Sequence, residues 1–160
     1  MNLKIYFDGA CGPKNPGGTA SYGFAITDEG DNLLDSGHGI IGSGPGMTNN
    51  IAEHYALVKA FEAFISFVNR AKLAKCTLSV FGDSQLVIKQ MNGAYRIRED
   101  RPKPYQIYAR QNLVLRDRIR KGGVPVSFTW IPRDENQICD DLSKIDQIDV
   151  DKFPENLYNK

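Results

Sequence analysis

Residues 51–68 place Ile51, Tyr55, Ala56, Phe61, Phe64, Ile65 and Val68 on one broad apolar face at helical spacing, and strand-like segments flank them on both sides. Upstream, Leu3, Ile5 and Phe7 alternate with Lys4, Tyr6 and Asp8. Residues 21–27 and 32–41 read as two more strands, joined through Asp28-Glu29-Gly30-Asp31. Three early strands with short turns predict an antiparallel meander. Downstream, residues 76–81 form a strand that runs into Gly82-Asp83. A helix between two such strands is a crossover, which makes the later strand parallel to an earlier one with a right-handed connection. In open sheets of this kind ligands bind beyond the carboxyl ends of the strands, and Asp8 and Asp83 both stand at such ends.

The rest of the chain continues the α/β pattern. Ser84 is placed to cap a short helix that stops near Gly93. Residues 105–120 are helical, with Tyr105, Tyr108, Ala109, Leu115 and Ile119 on one side. Val124, Val126, Phe128 and Trp130 alternate as a last strand, which assigns Trp130 to the core. Residues 134–144 form a final short helix, and residues 145–160 an acidic tail. The expected order is β-β-β-α-β-α-α-β-α in one domain, residues 1–144. With 160 residues the chain suits a single core. No apolar run approaches the roughly 20 residues of a membrane span, and the charged, alternating start is unlike a signal peptide. Cys11, Cys76 and Cys139 are odd in number and widely spaced, which suits a reducing cytoplasm and small buried side chains.

The net charge of +1 hides an uneven distribution. Residues 96–121 carry nine basic side chains against three acidic ones, and residues 134–160 carry eight acidic against three lysines. The basic run is either a polyanion footprint or a solvated helix face. Gly12-Pro13-Lys14-Asn15-Pro16-Gly17-Gly18-Thr19 has the glycine spacing of a phosphate loop, but Gly18 stands where the lysine belongs and a strand follows. It reads as a turn.

Four segments each deliver a carboxylate: Tyr6-Phe7-Asp8-Gly9-Ala10, Thr48-Asn49-Asn50-Ile51-Ala52-Glu53, Phe81-Gly82-Asp83-Ser84-Gln85 and Glu135-Asn136-Gln137-Ile138-Cys139-Asp140. Singly, each has an ordinary explanation. Asp8 suits a turn, Glu53 a capping box with Asn50 as the cap, Asp83 a strand end and Asp140 a polar helix surface. Together, in this order and with these intervening elements, they resemble the ribonuclease H family over residues 3–144.

That resemblance implies a five-stranded mixed sheet flanked by helices and an endonuclease that cuts the RNA strand of an RNA–DNA hybrid. It puts the metal ligands on Asp8, Glu53, Asp83 and Asp140. It assigns a DNA-strand phosphate to Thr48 and Asn15, and the 2′-hydroxyls of the minor groove to Asn49, Asn50 and Gln85. Hard Mg²⁺ or Mn²⁺ prefers oxygen ligands, and two ions about 4 Å apart can activate a water and stabilise the leaving 3′-oxygen. Neutral amides that meet a 2′-hydroxyl distinguish RNA from DNA without added charge.

The chain departs from many members of the family in two places. The loop Ile131-Pro132-Arg133-Asp134-Glu135-Asn136 has no histidine, so Arg133 is the candidate there for phosphate contact or product release. His38 lies in a strand, and His54 points away from its neighbour Glu53; both are read as structural. No inserted basic helix or hybrid-binding domain is evident. The basic run and Tyr95, against the DNA sugar-phosphate, are left to grip the substrate. Nothing in the sequence implies a protein partner, and a monomer is expected.

Overall fold

The chain orders itself as β1 (Asn2–Gly12), β2 (Thr19–Thr27), β3 (Leu33–Ser43), α1 (Asn49–Ala71), β4 (Thr77–Gly82), α2 (Gln85–Met91), α3 (Gln106–Lys121), β5 (Val126–Trp130) and α4 (Gln137–Lys152), with one 3₁₀ turn, Arg133–Asn136, ahead of α4. This computed structural model describes residues 1–73, 75–97 and 103–152. The sheet order is β3-β2-β1-β4-β5. β1–β2 and β2–β3 are antiparallel, and β1–β4 and β4–β5 are parallel. The expected mixed five-stranded sheet flanked by helices is therefore the fold.

The pleat divides the sheet into two faces. Leu3, Ile5 and Phe7 of β1 turn to one side, with Leu78 and Val80 of β4, and pack against Ala56, Leu57, Ala60, Phe61 and Phe64 of α1. Each large side chain buried there contributes about 1.5–3 kcal/mol. α1 approaches β1 so closely that a Cβ on Gly9 would lie 2.3 Å from the carbonyl carbon of Ala52 and the nitrogen of Glu53. α4 lies on the opposite face, where Gly23 of β2, the partner of Asp8, meets the Ser143 backbone.

Several elements differ from their sequence expectation. β1 does not stop at Asp8. It stays paired with β2 as far as Gly12↔Thr19, so cross-strand bonding carries the strand into the glycine-rich segment. Its parallel pairing with β4 ends at Phe7↔Gly82. β1 thus runs on past the ends of β4 and β5 and leaves a notch beside Asp8. The cap of α1 is Thr48, whose hydroxyl accepts from Ile51 N–H, and not Asn50. The last helix runs beyond Lys144 to Lys152. On α3 the fully buried positions are Gln106, Ala109, Asn112 and Ile119, whereas Tyr105, Tyr108 and Leu115 are half-buried. Trp130 is not core. It is 44% exposed, although Val126 and Phe128 before it are buried. Cys76 and Cys139 are buried, but Cys11 is only half-buried.

The basic run also looks different in three dimensions. Arg116 donates to Met91 O at 2.7 Å and pairs with Asp117 at 2.9 Å. Arg120 donates to Val126 O at 2.9 Å. These two arginines tie α3 to α2 and β5 instead of standing free for a ligand. Arg98 and Arg101 lie outside the described residues, as does the tail from residue 153.

Candidate functional site

Each carboxylate reaches the notch by a different route. Asp8 sits one residue past the last β1–β4 pair, on the face opposite Phe7. Glu53 comes from the second turn of α1, brought against β1 by the missing side chain of Gly9. Asp83 follows the last residue of β4, and Asp140 lies near the start of α4. One carboxylate oxygen from each of Asp8, Glu53 and Asp83 lies within 4.8 Å of the others. Together with Asp140, Asn15, Asn49, Cys11, Trp130, Arg133 and Lys144 they line a cavity of about 520 Å³.

Crowding sets the electrostatics. Burial, then the charges of Asp83, Glu53 and Asp140, push the Asp8 carboxyl up to about 8, although Gly9 N–H donates to it at 2.9 Å. Burial raises Glu53 to about 7, with Asp83 adding to the shift. Hydrogen bonds from Ser84 and Asn49 offset part of it, the Asn49 bond at 3.2 Å. Asp83 is raised by burial, and a hydrogen bond from Asp8 relieves it in part. Asp8 and Glu53, which hold protons near neutrality, and Asp83, raised in the same direction, are poised to exchange protons for a cation. The donor set, all hard oxygen at one point, fits Mg²⁺ or Mn²⁺.

Asp140 behaves oppositely. Burial would raise it, but the hydrogen bond and charge of Lys144, and then Arg133, outweigh that and hold it below the ordinary carboxylate value. Lys144 Nζ stands 3.2 Å from Asp140 Oδ2 and Arg133 Nη2 3.1 Å from Oδ1. Asp140 shares the cavity but is not in the cluster formed by the other three.

The other sequence candidates divide into groups. Asn15 and Asn49 lie in the cavity and are joined, Asn49 N–H donating to Asn15 Oδ1 at 3.0 Å. Thr48 spends a lone pair on the helix cap and keeps its hydroxyl proton for a further acceptor. Asn50 and Gln85 are exposed at the starts of α1 and α2. Tyr95 stands apart, in a cleft with Arg96, Lys103 and Tyr105, where Lys89 Nζ donates to its hydroxyl at 3.2 Å. His54 is fully buried, its ring nitrogens 2.7 Å from Asn50 O and Gln90 Oε1 and its ring stacked on Tyr105. His38 is exposed on β3. Neither histidine lines the acidic cavity.

Sequence reasoning passed over three site residues. Ser84 was read only as a cap for α2, yet its hydroxyl accepts from Val87 N–H and also bonds Glu53. Lys144 had a readable signal, being four residues after Asp140 on one helix. Trp130 had none, because its alternation with Phe128 points to the core.

Residues 6–145 match the family model described as reverse transcriptase-like. Among curated relatives, the ribonuclease HI of Halobacterium salinarum is 33% identical over 141 residues, which is 88% of this chain and 62% of that protein. The bifunctional protein Rv2228c of Mycobacterium tuberculosis is 26% identical, and the match spans 88% of this chain but 35% of that protein. The solved LC11-RNase H1 in complex with an RNA/DNA hybrid is 32% identical, covers 91% of this chain and 97% of its own, and superposes with a TM-score of 0.73. The RNase H1 of Halobacterium salinarum is 30% identical, with 93% and 99% covered and a TM-score of 0.70.

Proposed function

Because this chain belongs to the type 1 ribonuclease H family, we propose that it is an endonuclease that hydrolyses the RNA strand of RNA–DNA hybrids, with two divalent cations per site, Mg²⁺ in the cell and Mn²⁺ as a working substitute. The observation that carries the reading is the convergence of Asp8, Glu53 and Asp83 within 4.8 Å in a notch at the carboxyl end of β4. Their high proton affinity without a cation and the all-oxygen donor set support it.

In this reading Asp8, Glu53, Asp83 and Asp140 hold the cations, which when bound supply a nucleophile at neutral pH and stabilise the leaving 3′-oxygen of an in-line displacement. The chain's own groups orient the substrate. Asn49 and Asn50, presented by the first turn of α1, and Gln85, at the first turn of α2, meet successive 2′-hydroxyls, so a DNA strand lacks the partner they require. Asn15 and Thr48 take a phosphate of the DNA strand, and the link from Asn15 to Asn49 fixes the two contacts in one frame. Tyr95, with Arg96 and Lys103 beside it, lies against the DNA sugar-phosphate. Arg133 is 68% exposed while paired with Asp140. It can swing to the cleaved phosphate and assist release. The chemistry needs no side-chain histidine.

The three free cysteines suit a reducing cytoplasm, where we place the enzyme as a monomer; among the described residues no helix is long and apolar enough to cross a membrane. The test is cleavage of RNA–DNA, RNA–RNA and DNA–DNA duplexes by purified protein with Mg²⁺, with Mn²⁺ and with EDTA, beside Asp83→Asn. Metal-dependent cutting confined to the RNA of the hybrid, and lost in Asp83→Asn, is expected. Cutting of pure DNA, or near-normal turnover by folded Asp83→Asn, would sink the assignment.

A further inference from the structure

We propose that Trp130 is a positioning residue for Asp83, holding the peptide that carries this carboxylate through a single hydrogen bond from its indole N–H; the inference rests on the nuclease reading above. β4 and β5 are parallel, with Gly82 opposite Trp130 at the end of their ladder. Past that point the β4 chain loses the regular pairing that fixes a strand's peptides, and Asp83 is its next residue. Two groups from the end of β5 replace the ladder there. Ile131 N–H donates to Gly82 O at 3.0 Å, and Trp130 Nε1–H donates to Asp83 O at 3.1 Å.

The second bond accounts for the exposure of Trp130, which keeps the parity of Val126 and Phe128 but not their burial. By parity with Val126 and Phe128 it belongs in the core, yet it is 44% exposed and lines the acidic cavity. At the mouth of the notch the indole N–H meets the Asp83 carbonyl, a fixed acceptor in place of water. On its other side Asp83 leads into Ser84, the cap of α2, whose hydroxyl also bonds Glu53. The indole therefore steadies a turn on which two of the clustered carboxylates depend. A peptide freed to rotate there would carry the Asp83 side chain with it, and a displacement of about 1 Å in such a site can cost about 100-fold in rate.

Trp130 is the only tryptophan in the chain, so residue-wide replacement alters one position. Replacement by β-(3-benzothienyl)alanine substitutes sulfur for the N–H and keeps the ring's shape, Trp130→Phe removes the N–H by mutation, and 5-fluorotryptophan keeps it. Each protein is assayed for hybrid cleavage, and Mn²⁺ binding to the substrate-free protein is followed by electron paramagnetic resonance. In both proteins without the N–H, kcat should fall about tenfold and Mn²⁺ should bind about tenfold more weakly, as when a ligand's supporting hydrogen bond is removed. KM for the hybrid should stay within about twofold, and the fluorotryptophan protein should match the wild type. Unchanged kcat and Mn²⁺ affinity in the benzothienyl protein would overturn the proposal. So would a loss confined to KM, which would make the ring a substrate contact. A wild-type protein that binds no Mn²⁺ and cuts no hybrid would instead overturn the nuclease reading, and this inference with it.

Discussion

Asp8→Asn should abolish turnover yet make the metal-free protein more stable. Asp8 is 5% exposed, and its carboxyl is pushed up to about 8 from an ordinary 3.8, first by burial and then by Asp83, Glu53 and Asp140. Between those two values the folded chain holds a proton that the unfolded chain has released. Stability therefore falls as pH rises through that window. By pH 7 about three pH units of it have been crossed, and at about 1.4 kcal/mol each the full cost is about 4 kcal/mol. Water and buffer cations reach the open side of the cavity, and screening leaves about 2 kcal/mol to be observed. For a chain of this size that is about 4–8 °C in Tm. Asparagine keeps the shape, and its side-chain oxygen can still accept from Gly9 N–H. The assay is calorimetry in EDTA from pH 5.5 to 8.5 on both proteins. The gap in Tm should widen with pH, and Mg²⁺ should raise the wild type at pH 8 more than the variant. A variant no more stable than the wild type at pH 8, or a gap that ignores pH, would refute the argument from mutual repulsion.

Gly9→Ala should lose activity by about 100-fold and lower Tm, because its Cβ would collide with the α1 backbone at Ala52 and Glu53; turnover and thermal melts check both. Arg116→Ala should lower Tm without changing the log–log salt slope of KM, since its guanidinium is committed to Met91 O. By contrast, Arg96→Ala and Lys103→Ala, beside Tyr95, should each reduce that slope by somewhat under one unit. His54→Ala should destabilise by about 2–4 kcal/mol through a cavity and orphaned partners, seen in denaturant melts, while His38→Ala keeps kcat within about twofold. A large kcat loss in folded His38→Ala would point to a histidine in the chemistry after all.

Local sequence determined the succession of elements and the residue types at their ends. Period-two and helical spacing report which side of a segment is apolar, and that is enough to place Leu3, Ile5 and Phe7 inside and to set Asp83 at a strand end. Asp8, by contrast, lies within β1, at the end of its pairing with β4 only. Local sequence also brought out the four carboxylate segments, because their order carries the family's signature even though each alone is ordinary. What pattern could not supply was anything decided by a neighbour distant in the chain. β1 continues to Gly12 because β2 offers it hydrogen bonds there, whatever the intrinsic preference of Gly9 and Gly12. Thr48, rather than Asn50, caps α1 because the backbone is extended at Thr48 and already helical at Asn50, which leaves the Thr48 hydroxyl to accept from Ile51 N–H. Arg116 and Arg120 count as cations in the sequence, but the tertiary structure spends them on the carbonyls of Met91 and Val126. Trp130 obeys its alternation up to the point where the sheet's interior ends, and beyond that edge the same parity leads out to the acidic cavity and the Asp83 carbonyl. Periodicity records the direction of a side chain, and only packing decides what lies in that direction.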